Sequence, residues 1–91
     1  MAVVRIPPVL RPEAGGQSKV PITAESVREA LESLVATYPS LGTRVLEDGE
    51  LPTFLNVFVD GQDVRLLAGL DTSVDEGSTI LLLPAVAGGA A

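Results

Sequence analysis

The sequence predicts the α+β class: a mixed four- to five-stranded sheet with one main helix on one face. Three observations predict it. Residues 27–38 hold a single apolar stripe at helical spacing (Val27, Ala30, Leu31, Leu34, Val35 and Tyr38), with Arg28, Glu29, Glu32 and Ser33 on the opposite face. Short apolar runs at 2–7, 18–22, 54–64 and 78–84 flank that segment on both sides. A helix that is apolar along one stripe has to bury it on a sheet, and one helix covers only one sheet face.

AVVRIP, residues 2–7, is rich in β-branched side chains and reads as a strand that Pro7 and Pro8 bring to an end. VLRPEAGGQ follows as a hairpin loop, with Pro12 and the Gly15-Gly16 pair marking the turn. SKVPI, 18–22, is the return strand, and Pro21 places it at a sheet edge. Thr23 is the expected N-cap of the helix, and Glu25 faces the positive end of its dipole. Pro39 stops the helix, because the residue before a proline avoids the α region. Residues 40–53 read as a linker with one short apolar turn at Leu41, Val45 and Leu46.

FLNVFVDGQDV, 54–64, is a strand that meets Asp60-Gly61, a dipeptide suited to a type I′ hairpin turn, and then a short partner strand. LLAGLDTSVDEGS is irregular, with turns at Gly69 and Glu76-Gly77, and STILLLP, 78–84, is the last strand. The order strand, strand, helix, strand, short strand, strand, with a crossover through the helix, is the pattern of a β-grasp (ubiquitin-like) roll. The last strand is apolar on both sides, which suits a central position beside the first. Residues 1–84 are expected to form the domain and 85–91 a flexible tail. Alternation puts Ile80 and Leu82 on one side of the last strand and Leu81 and Leu83 on the other. One pair faces the helix. The other lies on the open face, where it is either a docking surface or covered by segment 40–53.

Composition excludes most chemistry inside the domain. With no cysteine there are no disulfides, thiolate metal sites or thiol nucleophiles, and with no histidine the commonest general base and metal ligand is missing. Glu47, Asp48 and Glu50 have no partner base and read as a solvated charge run. Gly15-Gly16 lacks phosphate-loop spacing, and Asp71, Asp75 and Glu76 lack calcium-loop spacing. No bound cofactor and no metal is expected, and the chain does not read as a self-contained enzyme. A net charge of −6 argues against nucleic acid and membrane surfaces and favours a basic partner. The N-terminus is too short and too broken by proline for a signal peptide, and no run reaches transmembrane length, so the expected location is the cytoplasm.

The tail, PAVAGGAA, is either a frayed end or the working part. Five residues from Pro84 to Gly89 reach about 17 Å when extended. Gly88 and Gly89 lack a Cβ, so that segment can thread a narrow channel and be approached closely along its backbone.

NVFVDGQDVR, the Glu76-Gly77 turn and ILLLPAVAGG together resemble the ubiquitin-like sulfur carrier proteins, the MoaD/ThiS family. The Pro-x-x-x-Gly-Gly ending is the most specific mark. RIPPVLRPEAGGQ and PAVAGG are similar to the carriers of actinobacterial cysteine biosynthesis. The resemblance implies that a partner adenylating and sulfurtransferase enzyme uses ATP to activate the carboxylate of Gly89, supported by Gly88. Sulfur then replaces AMP to give a thiocarboxylate. It implies a PLP-dependent cysteine synthase-like acceptor and a JAMM-type zinc peptidase as further partners. Leu81, Leu83, Pro84 and Val86 become the expected partner-binding residues. Ala90 and Ala91 depart from the pattern, since they follow Gly89, and imply cleavage of the Gly89–Ala90 bond. Ser78 stands where the family often has Asp. Other readings are the small subunit of molybdopterin synthase, a ubiquitin-like protein modifier, and a non-covalent interaction domain with an inert tail.

Overall fold

The structure, a computed structural model, describes residues 1–84. Its strands are β1 (Ala2–Arg5), β2 (Lys19–Ile22), β3 (Leu55–Val59), β4 (Gln62–Asp63) and β5 (Thr79–Pro84), and its helices are α1 (Val27–Thr37) and the short α2 (Gly42–Val45). They form one five-stranded sheet in the order β2-β1-β5-β3-β4. β1 and β5 run parallel at its centre, and every other pairing is antiparallel. This is the β-grasp roll, with β5 beside β1 and the Pro21-bearing β2 at an edge, as the patterning predicts.

One side of the sheet carries the core. Val4, Leu55, Val57, Ile80 and Leu82 from the strands pack with Val27, Ala30, Leu31 and Leu34 from α1, all of them fully buried. Each such aliphatic side chain contributes about 1.5–3 kcal/mol by leaving water. Asp60 and Gly61 take φ of 50° and 87°, the two positive values that a type I′ turn requires. Asp60 also accepts the Thr79 amide at 3.0 Å, which ties the hairpin to the start of β5.

Three expectations need correction. The N-cap of α1 is Ser26 and not Thr23: Ser26 Oγ accepts the Glu29 amide at 3.2 Å. Ser26 stays extended, at φ −146° and ψ 163°, because residues 25–27 pair with the segment before β5. Ser26 bridges Ser73, the Val27 amide donates to Thr72 O, and the Val74 amide donates to Glu25 O. The helix therefore starts only where that pairing ends. Ser26→Ala is expected to cost about 1 kcal/mol, and Thr23→Ala less than about 0.5 kcal/mol, read as shifts of the urea midpoint.

The expected hairpin loop after β1 is a 3₁₀ helix, Pro8–Ala14, that delivers Leu10 and Ala14 to the core. Gly15 ends it at φ 65°, and a Cβ there would meet the Tyr38 ring at 3.2 Å. That conformation favours glycine, and a side chain there would also push the Tyr38 ring aside by a few tenths of an ångström. The expected linker at 40–53 is also structured. A 3₁₀ turn (Pro39–Leu41) and α2 bury Leu41 and Val45 completely in the core that holds Ile80 and Leu82. The segment thus extends the helical layer and does not cover the opposite sheet face.

Candidate functional site

β5 is paired with β1 over its first half and with β3 from Ile80 to its end. It pairs with β1 through Val3↔Thr79, Val4↔Ile80 and Arg5↔Leu81, and with β3 from Val59↔Ile80 to Leu55↔Pro84. Pro84 is therefore anchored in the sheet, and the chain leaves the domain from a fixed point. Leu81 and Leu83 lie on the open face beside that exit, and alternation puts Pro84 on the other side of the strand. Leu81 and Pro84 are half-buried, and Leu83 is 41% exposed although it is a large aliphatic residue. Val86, Gly88, Gly89 and Ala90 lie outside the described residues.

Register brings further side chains onto this open face. Phe58 stands opposite Leu81 on β3 and Asn56 opposite Leu83, while Val3 stands opposite Thr79 on β1. Phe58 and Val3 are half-buried, and Phe54, at the same parity just before β3, is 44% exposed. Val3, Leu81, Phe58 and Leu83 thus make an apolar centre flanked by polar groups. On the β3 side, Arg65 donates to Asn56 Oδ1 at 3.2 Å and to Pro52 O at 2.8 Å, bracing the strand that carries Asn56 and Phe58. On the β1 side, Arg5 lies between Leu81 and Lys19. The strand alternation of Val3, Phe54 and Phe58 was visible in the sequence, but their neighbours were not, because cross-strand register is a property of the pairing.

Other expected features are local structure. Ser78 is buried, and its Oγ accepts the Asp75 amide at 2.9 Å and donates to Asp75 Oδ1 at 3.2 Å. It fixes the turn that launches β5. Among the described residues, no group of three or more His, Cys, Asp or Glu is placed to hold a metal ion, and no helix is long and apolar enough to cross a membrane. The arrangement places a partly exposed apolar face beside the point where the chain leaves β5.

Comparison with known proteins gives this geometry a family context. The model of the ThiS family matches residues 4–89. Sulfur carrier protein CysO of Mycobacterium tuberculosis is 37% identical over 89 residues, covering 94% of this chain and 96% of that protein. Small archaeal modifier protein 3 of Haloferax volcanii is 41% identical over 64 residues, 70% of each chain. Among solved structures, a chain from the Amycolatopsis orientalis BexX/CysO complex superposes with a TM-score of 0.91 at 35% identity, covering 98% of this chain and all of that one.

Proposed function

This chain belongs to the ThiS family, and we propose that it is a sulfur carrier of the CysO kind whose working group is the carboxylate of Gly89. The observation that carries the reading is the extent of the family match. It runs through Gly88-Gly89 and stops there, leaving Ala90 and Ala91 beyond it. A JAMM-type zinc peptidase hydrolyses the Gly89–Ala90 bond and exposes that carboxylate. In the activation step a carboxylate oxygen attacks the α-phosphorus of ATP in a partner enzyme, and pyrophosphate leaves. A sulfur nucleophile then displaces AMP, and the carboxylate becomes a thiocarboxylate. The thiocarboxylate sulfur bonds to an electrophilic carbon of the acceptor, supplied by a PLP-dependent cysteine synthase-like enzyme or another sulfur-accepting metabolite, and hydrolysis of the Gly89 acyl bond releases the product and restores the carboxylate.

The chain's own contribution is binding and presentation, as a co-substrate and not as the catalyst. Anchoring Pro84 in the sheet sets the origin of the tail, so Gly89 can be no farther than about 17 Å from the domain. An enzyme acting on Gly89 then comes within reach of the domain, and the half-buried Leu81 and the exposed Leu83 stand on β5 beside that exit. Holding sulfur on a backbone carbonyl carbon is consistent with a chain that has neither cysteine nor histidine.

The likeness to Small archaeal modifier protein 3 favours a second reading, in which the activated Gly89 acylates lysines of target proteins. The intact mass of the protein from its own cells tests both. The expected species lacks two alanine residues and carries sulfur in place of one oxygen. Retention of both alanines while the pathway is active would count against Gly89 as the working terminus. Loss of the alanines together with larger protein conjugates would favour the modifier.

A further inference from the structure

Three of the six cationic residues of this acidic chain gather at one corner of the open sheet face. Arg5, Arg11 and Lys19 line a groove of about 260 Å³ with Ile6, Leu81 and Leu83. The other three cations are engaged elsewhere. Arg28 pairs with Asp71 and Arg44 with Glu13, each at 3.4 Å, and Arg65 holds Asn56 and Pro52. Arg5, Arg11 and Lys19 make no ion pair among the described residues. Arg11 Nε donates to Ile6 O at 3.0 Å, which fixes its guanidinium at the groove.

This placement works against folding. Arg5 and Lys19 are direct cross-strand partners on one face, and like charges directly opposite destabilise a strand pair. A surface that carries negative charge opposite them would relieve the repulsion. The net charge of −6 does favour a basic partner at long range. Screening over about 8–10 Å, however, leaves the local sign to decide what fits the groove.

We propose that this groove receives an acidic segment, an apolar side chain flanked by Asp or Glu, of the enzyme that adenylates the tail. The proposal rests on the carrier reading and names how the carrier is recognised. Leu83 immediately precedes Pro84, so the groove lies beside the point where the tail leaves β5, and an enzyme that engages Gly89, at most about 17 Å from Pro84, comes within reach of this corner. The apolar side chain sits on Leu81 and Leu83. The flanking carboxylates pair with Arg5 and Lys19 on one side and with Arg11 on the other.

The test is calorimetric binding of the full chain to the purified adenylating enzyme of the same cells, between about 0.05 and 0.5 M salt. Arg5→Glu/Lys19→Glu is expected to raise Kd at least about tenfold at low salt and to abolish most of its salt dependence. Arg5→Gln/Lys19→Gln should fall between that variant and the native chain. Both positions are exposed, so the melting curves should change little. Equal Kd and equal salt dependence for all three proteins would overturn the proposal. So would self-association of the native chain that the charge reversal removes, because a second copy would then be the occupant. AMP formation on the chain ending at Gly89 separates the two claims. Adenylation with no effect of the charge reversal sinks the groove and leaves the carrier. Salt-dependent binding without adenylation sinks the carrier and leaves the groove.

Discussion

Deletion of residues 88–91 is expected to abolish thiocarboxylate formation completely while leaving the thermal melt of the domain unchanged. The carboxylate on which the proposed chemistry operates belongs to Gly89, and no side chain of the domain substitutes for it. The fixed exit at Pro84 stays intact in the deleted chain, because β5 pairs with β1 and β3 without any contribution from those residues. Gly88→Val in a chain ending at Gly89 gives a graded version of the experiment. A branched side chain beside the reacting carbonyl displaces it, and a displacement of about 1 Å costs on the order of a hundredfold in rate. The readout is the rate of conversion by the adenylating enzyme, followed by mass. Conversion of Gly88→Val at the native rate would remove the reason for the glycine pair. Full pathway activity of the deleted chain would return the tail to a frayed end.

Leu31→Asp is expected to unfold the domain at room temperature. Leu31 lies fully buried on α1 within the single core. Among the described residues, the buried polar groups are Thr72 and Ser78, which already bond to the Ala68 and Asp75 amides. An aspartate at this site has no partner, and burying an unpaired carboxylate costs more than about 4 kcal/mol. That loss is comparable to the whole stability of a small domain, about 5–15 kcal/mol. Leu31→Ala should cost about 2–5 kcal/mol and stay folded, which gives a measurable urea midpoint. A native far-ultraviolet spectrum and cooperative melt for Leu31→Asp would mean that the stripe of α1 is not the centre of the core.

The elements legible in the sequence were those whose signal is local and repeated. The α1 stripe, the type I′ turn at Asp60-Gly61 and the double-sided apolar run of β5 each carry their signal within a dozen residues. The segments misread were those whose signal depends on distant partners. Thr23 is as good an N-cap residue as Ser26. Only the pairing of residues 25–27 with 72–74 moves the start of the helix. Pro8–Ala14 and 39–45 carry two apolar residues each into the core, Leu10 with Ala14 and Leu41 with Val45. Spacing alone does not reveal a layer to receive so few side chains.

The site divides in the same way. The Gly-Gly ending, the absence of cysteine and histidine, and the emergence of the tail from a terminal strand are properties of the chain itself, and with the strand and helix order they sufficed for the family. By itself the sequence also determined that the Ile80/Leu82 and Leu81/Leu83 pairs of β5 would lie on opposite faces, because side-chain alternation is a covalent consequence of extended backbone. It left undecided which pair would be open and what would stand beside it. The tertiary structure decided that. Segment 39–45 joined the helical layer, so Leu81 and Leu83 stayed accessible, and the β1–β2 register set Arg5 against Lys19. Register and layer order follow from long-range pairing and the filling of one shared core, and no short window of sequence contains either.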